Sequence, residues 1–252
     1  MKRFVFFLFA FPLFLSAQTN ESDTLKLQAS LSSSGVFQGG NVQTVIFRVN
    51  SDVSYKPWKK WVFKTKNSFV YQEFGKTKAD EDILSLNFLY FNPEQKIYPL
   101  LLGFVSTNFR RQINVRSLLG GGVTFQVLSK NDNWLKIALS SEYERTKFYN
   151  DTFNRPVFNG NRSINTFRGT IWVNGKYQLF DKKFILSHES FYQPSLQRGD
   201  NYRWRADLAL EFPLSKFLNF RVNYLHTFES VVAEGQKQED RLLTFGFTLK
   251  SY

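Results

Sequence analysis

Between Tyr202 and Phe212 every even position is apolar or aromatic, while Arg203, Arg205, Asp207 and Glu211 put charge on four of the five odd ones. A period of two sends successive side chains to opposite faces, so the segment reads as a strand with two chemistries. The pattern pauses over residues 213–217 and resumes with Leu218, Phe220, Val222, Tyr224, His226 and Phe228 on one side. Asn219, Arg221, Asn223, Thr227 and Glu229 occupy the other, completing a hairpin. Strands of about ten residues with one broad aromatic face and one charged face match the wall of a transmembrane β-barrel, apolar side to lipid and charged side to lumen.

The rest of the chain repeats this code. A first strand sets Leu25, Leu27, Ala29 and Leu31 against Lys26, Gln28, Ser30 and Ser32, and ends in the turn Gly39-Gly40-Asn41. A second sets Val45, Phe47, Val49, Val53 and Tyr55 against Arg48, Asn50 and Asp52. After a turn over 56–60, Trp61, Phe63, Phe69 and Tyr71 oppose Lys64 and Lys66; residues 75–81 read as a polar loop. A less clearly two-faced fourth strand spans about 82–91 and ends at a proline turn over 92–96. The fifth shows Tyr98, Leu100, Leu102 and Phe104 as its apolar face, which the same code directs to lipid. The sixth uses Val115, Leu119, Val123, Phe125 and Val127 and is interrupted by Gly120-Gly121-Gly122, the mark of a sharp curve or of close packing.

In the seventh, Leu135, Ile137, Leu139 and Tyr143 oppose Lys136, Glu142 and Glu144. Residues 148–163 read as an exposed loop. The eighth sets Phe167, Ile171, Val173 and Tyr177 against Arg168, Trp172, Asn174 and Lys176, and the ninth, 184–193, has apolar residues on both parities. A last strand carries Leu243, Phe245, Phe247 and Leu249 and runs to an aromatic terminus, Tyr252, one position off their register. The expectation is an all-β, closed antiparallel barrel of twelve strands, with five short turns at one end, six loops at the other and both termini on the turn side. Closure leaves no strand edge exposed.

Composition then places the barrel. Lys2 and Arg3 precede an unbroken apolar run from Phe4 to Leu15 and the small-residue stretch Ser16-Ala17. This predicts a signal peptide over 1–17, cleaved after Ala17, followed by a single barrel domain over 18–252. Twelve apolar residues reach only about 18 Å as a helix, too short for an anchor. No later run is comparable, so strands must do any spanning. Residues 18–24 read as a short polar lead-in on the periplasmic side. With no cysteine there is neither a disulfide framework nor a lipidation site. Net charge falls from +12 to +10 when Lys2 and Arg3 leave, yet the cations are dispersed among aromatic strands and form no nucleic-acid motif. A soluble sandwich or lipocalin-like barrel also alternates. Strand length, the leader, an aromatic share of 18% and the charged opposite face favour the membrane, as do Tyr55, Trp58 and Trp61 clustered at one turn and Tyr98 near another.

Certain local features carry a family resemblance. Tyr90-Phe91-Asn92-Pro93, Lys96-Ile97-Tyr98, Gly103, Arg116 and Leu118-Leu119-Gly120-Gly121-Gly122, with Gly40-Asn41 and Thr44 before them, resemble the family of salt-induced outer-membrane proteins, a domain of unknown function. The resemblance is clearest over about 25–147; Tyr90 and Phe91 stand where that family often has a basic residue before the turn. It implies a bacterial outer-membrane β-barrel and brings no catalytic residue.

By parity the lumen receives Lys26, Arg48, Lys64, Lys66, Arg116, Lys136, Arg168, Lys176, Arg203, Arg205 and Arg221, against Asp52, Glu142, Glu144, Asp207, Glu211 and Glu229. This cationic balance fits a narrow passive channel favouring small anionic solutes. It equally fits a structural envelope barrel whose interior is plugged by an Arg/Glu network. A lipid hydrolase is the third reading, but Ser187 and His188 point to opposite faces, Ser190 shares a face with His188 only at about 6.6 Å, and His226 sits in an apolar row. No catalytic residue, cofactor or metal site is expected; oxygen ligands at Asp80-Glu81-Asp82 or Asn150 to Asn154 are commoner as plain loop acidity than as calcium sites. The loop over 148–163 lacks the size or repeats of an adhesin. The expected partners are outer-membrane lipid, the assembly machinery during biogenesis and small anions, with no nucleic acid. The expected location is the bacterial outer membrane, both termini periplasmic.

Overall fold

The structure, a computed structural model, describes residues 19–23, 25–39, 43–130, 132–215 and 218–250. The leader over 1–17, the Gly40-Asn41 turn and Tyr252 lie outside the described residues. Twelve strands, β1 (Leu27–Gln38), β2 (Thr44–Trp58), β3 (Trp61–Phe74), β4 (Thr77–Phe91), β5 (Ile97–Asn108), β6 (Ile113–Lys130), β7 (Asn133–Phe148), β8 (Ser163–Leu179), β9 (Phe184–Pro194), β10 (Tyr202–Pro213), β11 (Leu218–Glu229) and β12 (Glu239–Lys250), form a closed barrel. Each strand pairs antiparallel with its sequence neighbours, and β1 with β12 closes the wall.

The period of two decides which way each side chain faces. Along β7, Trp134, Lys136, Glu142, Glu144, Thr146 and Phe148 are buried while Leu139 and Tyr143 are exposed. Phe63, Phe167, Phe245 and Phe247 are exposed on other strands, so the apolar band lies outside and the charges inside, the reverse of a soluble barrel. Tyr55, Trp58 and Trp61 are exposed beside the β2–β3 turn, at the level of an interfacial aromatic collar.

Four expectations are corrected. Residues 75–81 are not a loop: Gly75 and Lys76, both with positive φ (55° and 65°), make a two-residue hairpin turn, and β4 starts at Thr77. Lys26 precedes β1 and is exposed, so it does not enter the lumen. The apolar face of β5 points inward: Tyr98, Leu100 and Leu102 are buried against Val62, Leu86, Phe88, Tyr90 and Trp172, while Ile97, Leu101 and Val105 meet the outside. Both faces of β5 are apolar, so no charge marks its inner side. Lastly, the polar lead-in is folded into the barrel at the end that joins β4 to β5, where Ser22 Oγ donates to Pro93 O at 2.5 Å. The two-sided β9 resolves with Ile185, Ser187 and Gln193 buried and Tyr192 exposed.

At the other end, the segment between β7 and β8 crosses to the one between β11 and β12. Phe153 bridges Ala233, Asn154 N donates to Val232 O at 3.0 Å, and Phe153 and Phe158 pack with Ile113, Phe148, Ile164 and Val231. The triple glycine is explained by contact: a Cβ on Gly120 would stand 2.2 Å from Ser141 O and one on Gly122 2.0 Å from Leu139 O, whereas one on Gly121 would lie 3.1 Å from a Leu101 methyl. Gly122→Ala is therefore expected to lower the unfolding free energy by about 3 kcal/mol or more, and Gly121→Ala by about 1 kcal/mol. Urea unfolding in vesicles followed by tryptophan fluorescence checks this; equal losses would contradict the assignment of contacts.

Candidate functional site

The interior is built in layers. At the end bearing the N-terminal segment, Glu21 is 3% exposed and sits between Lys64 and Lys136, its carboxylate 3.3 Å and 2.9 Å from their Nζ atoms. Tyr98 donates its hydroxyl to Glu21 at 2.9 Å. Lys64 donates to Thr19 O at 2.5 Å, Lys136 to Asn20 Oδ1 at 2.6 Å, and Thr19 to Asp52 at 2.6 Å. Burial pushes the Glu21 carboxyl up, but Lys136 and Lys64 outweigh it and hold the group well below the usual glutamate range. Beside this segment the inward aromatics of β4, β5 and β8 make a dry layer, with Phe88 edge-on to Trp172 at 6.0 Å and Tyr90 to Tyr98 at 5.8 Å.

Towards the opposite end lies an ion network. Glu144, 1% exposed, receives Arg168 Nε at 2.8 Å and Arg203 Nη2 at 2.6 Å, with Arg116 3.9 Å away. Arg116 makes a forked pair with Glu229, both contacts 2.7 Å, and Arg111 reaches the same carboxylate at 2.9 Å. Arg203 also donates to Gln193 at 2.6 Å. Lys66 pairs with Glu189 across the barrel, from β3 to β9. Glu142 accepts from Ser140 and, at 2.7 Å, from Thr170. Arg205 binds Asp207 at 2.8 Å, and nearer the turn end, beside the β10–β11 turn, Arg221 binds Glu211 at 2.8 Å.

Between the dry layer and the loop end is a chamber of about 270 Å³. It is lined by Arg48, Lys66, Arg205, Asp207, Arg221 and Glu189 among others, and reaches the rim at Asn108, Arg111 and Thr227. Of its charged lining side chains seven are cationic and five acidic. Among the described residues Arg48 forms no ion pair with a carboxylate, and it shares the chamber with Arg205 and Arg221.

The parity argument thus brings Arg48, Lys64, Lys66, Arg116, Lys136, Glu142, Glu144, Arg168, Arg203, Arg205, Asp207, Glu211 and Arg221 to the inside, with Lys176 half-buried on the same face of β8. It does not bring them to one site: Lys64 and Lys136 hold the segment at the turn end, the Arg221–Glu211 pair lies beside the β10–β11 turn, and Arg116, Arg168 and Arg203 lie towards the loop end. Sequence reasoning passed over Glu21, Glu189 and Arg111. The signal for Glu189 was there: it is the one acidic residue of β9, and a charge on a membrane-spanning strand must turn inward. His188 stacks on Tyr177 on the outer side, while His226 lies 3.2 Å from Glu239 and edge-on to Trp204 at 4.5 Å. Asp80 is engaged by Arg110 at 2.9 Å and Asp82 by Asn108 and the Phe109 amide, each at 2.9 Å, so loop arginine and amides occupy the acidic run.

Residues 24–250 match the family described as "Protein of unknown function, DUF481". No curated protein gives a significant sequence match. Among solved structures, the chain is similar to the NanC porin, with a TM-score of 0.51 at 7% identity, covering 89% of this chain and 98% of that one. Weaker likenesses are to the translocator domain of autotransporter NalP from Neisseria meningitidis (TM-score 0.42, 10% identity, 90% of this chain and 87% of that one). A bacterial polysaccharide outer-membrane secretin gives a TM-score of 0.42 at 9% identity, covering 90% and 97%. The likeness to the NanC porin is one of fold, a closed antiparallel β-barrel.

Removing one member of the network leaves buried charge without a partner. Glu144→Gln is expected to cost about 3–5 kcal/mol, since Arg168 and Arg203 lose their shared carboxylate. Equilibrium unfolding of the variant tests it, and a loss under about 1 kcal/mol would show that the arginines find water instead.

Proposed function

The chain belongs to the DUF481 family, and we propose that it is an outer-membrane barrel whose resting interior is closed and which holds a small anionic solute in its cationic chamber. The observation that carries this reading is the combination of a seven-to-five excess of cations around about 270 Å³ with a dry layer and the docked residues 19–23 beneath it. That volume is room for roughly nine waters, close to the lower end of ligand-pocket sizes. Passage through the barrel then requires the N-terminal segment to leave. With the leader removed after Ala17, as the sequence predicts, the segment starts the mature chain and its ion pairs act as the latch. The termini lie in the periplasm and the crossed loops outside the cell; the chain reaches the outer membrane through its assembly machinery and contacts lipid along its aromatic faces. The role is non-catalytic. A purely structural envelope barrel is the second reading, favoured by the ion pairs that tie opposite walls.

Planar-bilayer recording separates an open from a closed interior. The wild type is expected to show no steps above leak, and the chain lacking residues 19–23 is expected to show small steps with anion preference. Stable steps from the wild type overturn the closed state. Because the Glu21 carboxyl is depressed, the latch is fully present above the ordinary glutamate range and is lost only as pH falls below it. Acidification to about pH 5 should leave the wild type closed; opening there would place the latch elsewhere.

A further inference from the structure

The wall is weakest where the barrel closes. β1 pairs with β2 over twelve positions, and β11 with β12 over eleven, but β1 meets β12 at only four, from Ser30↔Lys250 to Ser33↔Phe247. Beyond that ladder, towards the loop end, Gly35 to Gln38 of β1 and Glu239 to Phe245 of β12 have no ladder partner in each other. In hydrocarbon an unpaired strand edge is costly, so a seam of this kind needs something to occupy it.

The seam is also where the charged interior comes nearest to lipid. Extending the register by one position gives a row of inward residues across four strands: Arg48 on β2, Ser34 on β1, Gly246 on β12 and Arg221 on β11. The two middle residues are small, and a Cβ on Gly246 would stand 3.2 Å from Ser34 Cβ. They leave a notch between the two arginines. A small recess is lined by these four residues together with Asn223 and Thr244, so the notch connects the chamber to the seam. On the outer side the seam is flanked by Phe37, Leu243 and Phe245, exposed by 84%, 54% and 58%. Thus Arg48, which forms no ion pair with a carboxylate among the described residues, lies at the inner end of a recess whose outer lips are apolar.

We propose that the β1–β12 seam is a lateral binding site for a single-chain anionic amphiphile, whose carboxylate enters the notch towards Arg48 and Arg221 and whose chain lies along Phe37, Leu243 and Phe245. This rests on the cationic chamber described above and names its ligand class as lipid-like, entering from the membrane. A guanidinium supplies a planar two-donor fork suited to a carboxylate, and the apolar lips supply burial for methylenes.

The test uses the full mature chain in phosphatidylcholine vesicles, with spin-labelled stearate and spin-labelled phosphatidylcholine as probes, at alkaline pH where the stearate carboxylate is ionised. Electron paramagnetic resonance is expected to show stearate immobilised by the wild type about threefold more than phosphatidylcholine. That preference should fall to unity in Arg48→Gln. Ser34→Cys with Gly246→Cys gives a second handle, because a Cβ separation near 3.2 Å approaches disulfide geometry and the chain contains no other cysteine. Oxidation should fill the notch and abolish the preference, and reduction should restore it.

A preference unchanged in Arg48→Gln and in the oxidised double variant overturns the proposal. So does loss of the preference in Arg241→Gln alone, which would place the carboxylate on the outer surface. The same vesicles titrated with gluconate by calorimetry separate this from the broader reading. Gluconate binding without stearate preference keeps the anion chamber and removes lateral entry, whereas absence of both removes the chamber as a ligand site.

Discussion

Ion pairs that reach across the lumen are the constraint on which this barrel depends. A charge drawn out of water is tolerated only beside an opposite charge and with its remaining hydrogen bonds met. Here the partners come from opposite walls: Lys66 of β3 with Glu189 of β9, Arg116 of β6 with Glu229 of β11, and Glu21 between Lys64 of β3 and Lys136 of β7. Such pairs exist only if the cross-section is narrow enough for the side chains to meet, so pairing and occlusion are one fact. The aromatic layer around Trp172 and Tyr98 adds a dry floor to the same closure.

The outer wall obeys the opposite rule. Phe63, Leu139, Phe167 and Phe247 face outward because acyl chains are as apolar as they are, and backbone groups must be satisfied within the closed ladder. Gly120 and Gly122 let β6 press onto β7, whose carbonyls would collide with any side chain there. Among the described residues the ladder is shortest at the β1–β12 seam, with four paired positions, which is also where Arg48 and Arg221 approach the outside.

Much of this was legible in the residues. Alternation in β2, β7, β10 and β11 pairs charges with aromatics, so each strand declares its inner side and the strand count follows. Strand β5 makes no such declaration: Ile97, Leu101 and Val105 on one parity and Tyr98, Leu100 and Leu102 on the other are equally apolar. Its orientation is set by its neighbours and by Glu21, a contact more than seventy positions away in sequence. The same remoteness hid the role of residues 19–23, whose polar composition is that of a solvated tail until Lys64 and Lys136 are brought to meet it. The Gly75-Lys76 turn was missed because the charges that follow it lie on a strand that continues past the apolar band.

The barrel is a cylinder with its own residues 19–23 docked at one end, crossed loops at the other, and between them a chamber with more cations than acids. Its two walls touch through charge, and a double-mutant cycle on Lys66→Ala and Glu189→Ala, read by equilibrium unfolding in vesicles, measures that contact directly. A coupling energy of about 1–3 kcal/mol is the predicted result. Additive losses with no coupling would mean that water separates the walls and that the lumen is open.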